Sequence, residues 1–351
     1  MITIGVDAHK RLHVALALDA AGREIGEWRG PNNSSGWRAL SEWARAQGEE
    51  LQWGIEGAWG YGRQLAQHLV AGAEIVYEIN PRWTAFSRRR GRRQGKTDSL
   101  DARAVALLVR QEAPGLPRVS SEDSTALLDL WTTERASAAA TRLRNQIHSL
   151  LVQLDPEYNL RLPTLKSKRG AKALQTYECQ SGEPMAVERA AAVRMLGQRL
   201  LLALVHADSL AAKIRQLVRT RCAPLTRLCG INLLTAGALA GILGPGRRFA
   251  TDAQLAAYAG VAPLEASSAA LVRHRLNRGG NRHLNAILYR ITLTQAHYSP
   301  AARTYLDRRI GEGKSRREAI RALKRYIIRA VWRLWLECES DVALPSLAAV
   351  A

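Results

Sequence analysis

The first eighty residues alternate between apolar and polar positions in a pattern that predicts strands separated by helices. Three successive runs with a period of two lie between residues 2 and 28 and resemble a meander of three strands. A helical spacing follows over 37–47, then an apolar run that ends at Glu56, a helical stretch over 61–70 and a last strand-like run over 73–79. The predicted order is therefore βββαβαβ, which indicates an α/β domain.

After residue 96 the apolar spacing becomes helical. Thr97 or Asp98 can cap a helix that runs through SLDARAVALLVR, and the apolar face of this helix would pack on the sheet. Two long segments rich in Ala, Leu and Arg, at 121–154 and 184–221, predict a pair of long helices. Such a pair fits an arm for dimerisation or a bundle within the chain, and both interpretations stay open.

The pattern changes again after Pro224, where glycines interrupt the stretch LTRLCGINLLTAGALAGILGPGRRF. A helix over 252–259, a loop with two serines, the basic run RHRLNRGGNRHLN and two final helices are predicted to follow. Because 351 residues exceed what a single core usually supports, two or three domains are expected, and we predict their bounds at 1–120, 121–221 and 222–351.

The charge balance points to a polyanionic partner. Lys and Arg outnumber Asp and Glu by 51 to 31, which gives a formal net charge of +20. An excess of this size favours nucleic acid over a merely well-solvated surface, because basic side chains neutralise phosphates and release counterions. The residues predicted to contact nucleic acid are Arg88, Arg89, Arg90, Arg92, Arg93, Lys96, Arg273, Arg275, Arg278 and Arg282.

Cysteine spacing and the N-terminus bear on the compartment. The four cysteines lie far apart, without the spacing of a zinc site or a disulfide framework. The chain starts directly with a predicted strand, and no apolar stretch is expected to approach membrane-spanning length. We therefore expect a cytoplasmic protein without a membrane partner.

Four carboxylates fall at positions where they can converge. Asp7 and Glu56 close two predicted strands, so both can reach the same edge of the sheet, and Asp98 and Asp101 share one face of a helix. Taken singly, each acid is more often a turn or cap residue. Together they would repel one another without cations, and hard oxygen ligands of this kind select Mg²⁺ or Mn²⁺. Two such ions can support phosphoryl transfer.

Five motifs in order resemble one family. The segments GVDAHK, GIEGAWGYG, KTDSLDARAVA, LAAYAGVAPLEASS and RHRLNRGGNRHLNAILYR are similar to the DEDD transposases of the insertion-sequence-110 family, relatives of the Piv site-specific invertase. The resemblance covers nearly the whole chain. It implies a RuvC-like nuclease domain with an RNase H-like fold, a helical coiled-coil arm and a mainly helical C-terminal transposase domain. It also implies that Asp7, Glu56, Asp98 and Asp101 form the catalytic, metal-binding tetrad.

The resemblance further implies a nucleophilic serine and a guide RNA. The family's serine lies in a Ser-Ser-Gly or Ser-Gly element, which aligns it with Ser268, and Ser267 is the rival. This chain has Ala269 where glycine is usual, which affects the loop conformation because alanine adopts positive φ less readily. A DNA recombinase with a covalent serine–DNA intermediate and a structured bridge RNA is expected. A homodimer or homotetramer is expected too, since strand exchange needs two active sites in register.

Two other functions are compatible with parts of the pattern. A RuvC-like, Mg²⁺-dependent structure-specific endonuclease would need only the carboxylates and water, and a non-enzymatic nucleic-acid-binding protein would need neither. The Ser-Ser element argues against the endonuclease. The complete carboxylate set argues against the non-enzymatic binding protein. Four aromatic residues that can stack on unpaired bases are more often core residues and are kept outside the site. They are Trp59, Tyr61, Trp83 and Tyr258.

Overall fold

The computed structural model describes residues 1–84, 97–136, 139–245, 248–265, 274–275, 277 and 279–340. These residues form two compact units. The first comprises the described residues of Met1–Thr125, Arg227–Ile231 and Ile242–Ala351, and the second comprises those of Ala126–Thr226 and Asn232–Gly241. Residues near both ends of the chain thus belong to the first unit, while the division into domains 1–120, 121–221 and 222–351 stays a prediction.

A five-stranded sheet forms the centre of the first unit. Its strands are β1 (Ile2–Ala8), β2 (Leu12–Leu18), β3 (Glu24–Pro31), β4 (Leu51–Glu56) and β5 (Ile75–Ile79). They lie in the order β3-β2-β1-β4-β5, in which β1, β2 and β3 pair antiparallel and β1, β4 and β5 pair parallel. Helices α1 (Ser34–Gln47) and α2 (Arg63–Ala71) connect β3 to β4 and β4 to β5. The predicted order βββαβαβ is confirmed, and the arrangement is compatible with an RNase H-like fold.

The two faces of the sheet are covered by different helices. Successive side chains of a strand point to opposite faces, so Ile4 and Ile55 share one face and pack in the cluster that includes Leu40 of α1 and Leu65 of α2. The opposite face is covered by α3 (Asp98–Glu112). This helix begins after Thr97, whose Oγ1 accepts a hydrogen bond from the backbone N–H of Leu100 at 3.3 Å. Thr97, rather than Asp98, is therefore the cap of the helix.

The second unit is helical. In chain order the helices that follow α3 are α4 (Ser124–Ala136), α5 (Ala139–Leu154), α6 (Tyr158–Arg161), α7 (Lys168–Ala173), α8 (Pro184–Arg221) and α9 (Leu233–Leu243). The long helix predicted over 184–221 is confirmed, and the segment predicted over 121–154 contains α4 and α5. Ile147 of α5 and Val193 and Leu200 of α8 share one buried cluster. A coiled-coil arm stays a prediction.

Helix α8 departs from one sequence expectation. Of the helices that the structure describes, it is the one that is long and apolar enough to cross a membrane by length and composition. No stretch of that kind was expected. One side of the helix is buried in its unit, including Leu196 and Ile214.

The C-terminal part of the first unit is mostly helical as well. It contains α10 (Asp252–Tyr258), α11 (Arg282–Tyr298), α12 (Pro300–Gly311) and α13 (Arg316–Ser340), with a two-stranded ribbon of β6 (Leu264–Glu265) and β7 (His274–Arg275). The sequence predicted two final helices, and that prediction is wrong, because the described residues from 282 to 340 form three. Proline lacks the N–H that continues a helix, so the chain ends α11 and begins α12 at Ser299-Pro300.

Candidate active site

Two of the four predicted carboxylates lie on neighbouring strands. Strands β1 and β4 are parallel, and Asp7 is the register partner of Glu56. Both residues lie near the C-terminal ends of their strands. Because side chains alternate along a strand, Asp7 shares the face of Gly5 and Glu56 shares the face of Gly54. That is the face covered by α3, since a Cβ on either glycine would meet α3 residues.

Helix α3 brings the other two carboxylates to the same place. Asp98 and Asp101 both belong to its first turn. Asp101 is 4% exposed and Asp7 is 6% exposed. Burial raises the pKa of Asp7, and His9 opposes that rise. The charges of Asp101 and Asp98 raise the pKa of Asp7 further, because nearby like charges disfavour the ionised form. The three aspartates are therefore electrostatically coupled.

A histidine that the sequence analysis did not identify lies between two of these aspartates. The His9 Nε2 atom is 3.1 Å from Asp7 Oδ2 and 3.4 Å from Asp98 Oδ1. One ligand-type atom from each of the three residues lies within 4.8 Å of the others. The signal in the sequence was the spacing Asp-x-His at a strand end, which keeps the histidine beside the aspartate in the turn between β1 and β2.

Glu56 is held by a residue from a third element. Thr84 lies in a helical turn over 81–84 that follows β5, and it is fully buried. Its Oγ1 donates a hydrogen bond of 2.8 Å to Glu56 Oε1. This bond fixes one carboxylate oxygen of Glu56, and it too was not predicted from the sequence.

The donor set fits a divalent cation. Carboxylate oxygens and an imidazole nitrogen are ligands for Mn²⁺ and related ions, and Asp7 is both buried and repelled by its neighbours when ionised. A cation bound there would favour the ionised carboxylates. The group Asp7, His9 and Asp98 can therefore bind a metal ion.

A second buried cluster in the first unit surrounds Arg248. Its side chain is 3% exposed, and its guanidinium forms an ion pair with Glu78 of β5 and lies 3.1 Å from the hydroxyl of Tyr258. The Trp59 ring centroid lies 5.0 Å from the same guanidinium, and Trp59 Nε1 donates to Glu78 at 2.9 Å. Trp59 and Tyr258, which were kept outside the site, thus pack around a buried cation. This cluster has no local signal in the sequence, because 170 positions separate Glu78 from Arg248.

The end of the basic run packs against α10. Gly260 has a φ of +67°, and a Cβ on Gly280 would overlap its backbone. The backbone N–H of Asn281 donates to Tyr258 O at 2.7 Å, which fixes the loop before α11. A Cβ on Gly279 would lie 3.5 Å from the ring of Trp83, the residue that precedes Thr84. The first unit therefore holds this loop beside the helical turn that contacts Glu56.

Most of the predicted nucleic-acid contacts lie outside the described residues. Arg282 begins α11 and is exposed, and for Arg275 the structure describes the backbone, in β7. The predicted nucleophile and its rival also lie outside. The residues outside the description are Arg88, Arg89, Arg90, Arg92, Arg93, Lys96, Ser267, Ser268, Arg273 and Arg278.

Known proteins resemble this chain over most of its length. A DEDD transposase profile of the IS110 family matches residues 4–156, and a profile described as transposase, IS116/IS110/IS902 family, matches residues 222–307. The 43.6 kDa protein of insertion element IS110 from Streptomyces coelicolor is 27% identical over an alignment of 385 positions, which covers 95% of this chain and 93% of that protein.

Two further insertion-element proteins are similar to this chain over most of its length. The 44.8 kDa protein of insertion element IS116 from Streptomyces clavuligerus is 25% identical, with 95% of this chain and 94% of that protein covered. The 42 kDa protein of insertion element IS900 from Mycobacterium paratuberculosis is 25% identical, with 94% of both covered. The resemblance carried by the five motifs is confirmed, and the chain belongs to the IS110/IS116/IS902 family of transposases.

Proposed function

We propose that this transposase cuts and rejoins DNA strands by phosphoryl transfer that depends on Mg²⁺ or Mn²⁺, in the cytoplasm, as the recombinase of an insertion sequence. The observation that carries the proposal is the convergence of carboxylates on one face of the sheet. Asp7 pairs with Glu56 across β1 and β4, and the first turn of α3 adds Asp98 and Asp101. Membership of a transposase family supports DNA as the substrate.

The four carboxylates would hold the cations. A bound divalent ion supplies Lewis acidity, which stabilises negative charge on the phosphate oxygens and makes a nearby hydroxyl more acidic. The chain's own residues prepare the site. Thr84 orients Glu56 through its hydrogen bond of 2.8 Å. The N-terminus of α3 favours the negative charges of Asp98 and Asp101.

Ser268 is the proposed nucleophile, and Ser267 remains its rival. The Ser268 oxygen would form a bond to a DNA phosphorus while the bond from that phosphorus to one deoxyribose oxygen breaks. The serine hydroxyl loses its proton, and the leaving oxygen gains one. The phosphate stays a diester, so a DNA hydroxyl can later attack it and release the serine without external energy. The family resemblance supports this role, because an isolated serine hydroxyl is a weak nucleophile.

A suicide DNA substrate tests the proposal. A labelled duplex with a nick near the cleavage position traps a covalent adduct, which migrates on a denaturing gel as protein joined to DNA. We expect an adduct that requires Mg²⁺ or Mn²⁺, is lost in Ser268→Ala and Asp101→Asn, and persists in the matched control Ser267→Ala. An adduct retained by Ser268→Ala would exclude this nucleophile. Metal-dependent cleavage without any adduct would favour the endonuclease, and DNA binding without cleavage would favour the non-enzymatic protein.

A structured guide RNA is the second part of the proposal. The net charge of +20 suits RNA as well as DNA, and RNA is read largely through shape and backbone, so no short motif is needed. Purified protein should recombine donor and target plasmids only when RNA from the element is co-expressed. Equal recombination without that RNA would contradict this part and leave the metal-dependent chemistry intact.

We also propose a homodimer or homotetramer, because strand exchange between two duplexes needs at least two active sites. Helix α8 supports this with exposed apolar side chains, such as Met195 at 57% and Leu202 at 71% exposure. Light scattering coupled to gel filtration should give a mass of two or four chains. A monomer that is fully active in the adduct assay would contradict this assembly.

A further inference from the structure

We propose that His9 is a ligand of the metal centre, where its imidazole would bind one divalent ion together with Asp7 and Asp98. The inference rests on the proposed function, because it adds a nitrogen donor to a centre otherwise made of carboxylates. It assigns a role to a residue that lies outside the four predicted acids.

The distances around His9 fit shared coordination. Its Nε2 lies 3.1 Å from Asp7 Oδ2 and 3.4 Å from Asp98 Oδ1. Adjacent ligands of an octahedral ion with bonds of about 2.1 Å lie ~3.0 Å apart. The two distances from His9 are therefore close to the spacing that one ion requires, and all three ligand atoms lie within 4.8 Å of one another, so small side-chain rotations would complete the set.

The position of His9 is fixed by the backbone around it. Its own N–H donates to Leu12 O at 3.1 Å, which closes the turn between β1 and β2. Its carbonyl accepts a hydrogen bond of 3.1 Å from Asn32 Nδ2. Asn32 is held in turn by Trp37, whose Nε1 donates to Asn32 Oδ1 at 3.0 Å. The backbone that carries the imidazole is therefore already ordered before an ion binds, which lowers the entropy cost of binding.

Partial exposure of His9 suits a ligand at a reactive centre. The side chain is 44% exposed, while that of Asp7 is 9% exposed. The imidazole therefore lies on the solvent-facing side of Asp7, as does the 39% exposed side chain of Asp98, where a DNA phosphate would approach. Arg29 is another basic group near Asp98, and its Nη2 lies farther away, at 3.9 Å from Asp98 Oδ2.

An imidazole ligand would change which ion the centre prefers. Imidazole nitrogen suits transition ions such as Mn²⁺ better than Mg²⁺, which prefers oxygen donors. We therefore expect His9→Asn to weaken Mn²⁺ binding by about tenfold or more, as the loss of ligand-supporting groups does in other centres. Binding of Mg²⁺ should weaken by less.

Pulsed electron paramagnetic resonance on bound Mn²⁺ tests the assignment without relying on activity. The full chain, freed of metal, is loaded with Mn²⁺ alone, and ¹⁵N-labelled histidine shows whether any coupled nitrogen belongs to a histidine. We expect histidine nitrogen coupling in the unmodified protein and in the matched control His206→Asn, an exposed histidine of α8. The coupling should be absent in His9→Asn, with His9→Gln as the second variant if the first does not fold.

The outcomes separate this inference from the proposed function. Bound Mn²⁺ without histidine nitrogen coupling, or coupling that persists in the His9 variants, would overturn the role of His9 and leave the carboxylate centre standing. Failure of the unmodified protein to bind Mn²⁺ at all would overturn the proposed function and this inference with it. Coupling that disappears only in the His9 variants would support both.

Discussion

At the scale of single residues, Asp7 occupies an unfavourable position in the metal-free protein. Burial raises the pKa of its carboxyl, and the charges of Asp101 and Asp98 add to the rise. Functional sites often retain such unfavourable charge arrangements, because ligand binding requires them, at a cost in stability. The stability lost through the Asp7 carboxylate should therefore depend on pH and on whether a metal ion is bound.

Asp7→Asn is therefore expected to stabilise the metal-free protein at neutral pH. The folded-state pKa of Asp7 lies above its unfolded value. The stability that the Asp7 carboxyl contributes to the folded protein is therefore fully present below the unfolded pKa, and it is lost as pH rises through the folded pKa. The melting temperature in chelator should rise by about 2 °C at pH 7, and the difference should vanish in acid. Differential scanning calorimetry between pH 4 and 8 measures it.

Asp19→Asn is the control, because the pKa of Asp19 is shifted in the opposite direction to that of Asp7. The backbone N–H and the side chain of Arg23 both donate to the Asp19 carboxylate and lower its pKa. The variant should therefore gain no stability at neutral pH. A melting temperature of Asp7→Asn below that of the unmodified protein at pH 7 would show that the Asp7 anion is not repelled.

Metal should reverse the order of these stabilities. An ion that binds the folded state alone stabilises it by mass action. Added Mn²⁺ should raise the melting temperature of the unmodified protein by several degrees and leave Asp7→Asn nearly unchanged, as measured by the same calorimetry. An equal rise in both proteins would place the bound ion away from Asp7.

The sequence predicted the carboxylates but not their neighbours. Asp7 and Glu56 could be expected at one edge because alternation and strand ends are local signals, and Asp98 and Asp101 because a spacing of three defines a helical face. Thr84 and His9 carried weaker signals, since a threonine or histidine after a strand is commonly a turn residue. Their contacts depend on how separate elements pack.

At the scale of elements, the approach of α3 to the sheet positions the site. Gly5 of β1 and Gly54 of β4 have no side chain, and α3 lies directly over them. A Cβ on Gly5 would overlap the backbone carbonyl of Ala102. The glycines therefore let the first turn of α3 come close enough for its aspartates to interact with Asp7.

Gly5→Ala should displace α3 and weaken the metal centre. Overpacking of this kind typically costs ~1–3 kcal/mol of unfolding free energy. Urea unfolding should show that loss, and Mn²⁺ titration should show weaker binding because Asp98 and Asp101 move away from Asp7. The control is Gly115→Ala, where an added Cβ meets nothing within 4 Å. Unchanged Mn²⁺ binding in Gly5→Ala would contradict this role of the glycine.

Elements with clear periodicity were predicted well, but the ends of some of them were not. The strands followed a period of two, and α8 followed the predicted span from Pro184 to Arg221. Helix α1 begins at Ser34, earlier than the apolar spacing indicated, because the side chain of Asn33 accepts from Gly36 N and caps it. The break between α11 and α12 depends on Pro300, which the apolar pattern spans without interruption.

At the scale of the molecule, the first unit joins distant parts of the chain through a buried ion pair. Glu78 ends up beside Arg248, with Trp59 and Tyr258 around the guanidinium. Nothing in a local pattern predicts such a pair, because its two members are 170 positions apart. Family resemblance covers both segments but does not say which side chains meet.

Breaking this pair should destabilise the first unit more than breaking an exposed pair. Removing one member of a buried ion pair leaves an uncompensated charge and costs ~3–5 kcal/mol. Arg248→Met and Glu78→Gln should each lose that much in urea unfolding. The exposed pair Arg103–Glu24, at 38% and 46% exposure, is the control, and Arg103→Gln should cost ~1 kcal/mol or less.

The double variant Arg248→Met/Glu78→Gln distinguishes a true ion pair from simple packing. If the cost of each single change comes from the charge left behind, the double variant should be more stable than the sum of the two changes predicts, because neither charge then remains buried alone. If the double variant lost as much unfolding free energy as the two single variants together, the result would contradict the pairing of Arg248 with Glu78. Mn²⁺ binding by folded protein should persist in all three variants, since Asp7, Glu56 and the first turn of α3 lie on elements that this pair does not form. A parallel loss of metal binding would mean that the segment around Arg248 helps to shape the carboxylate site.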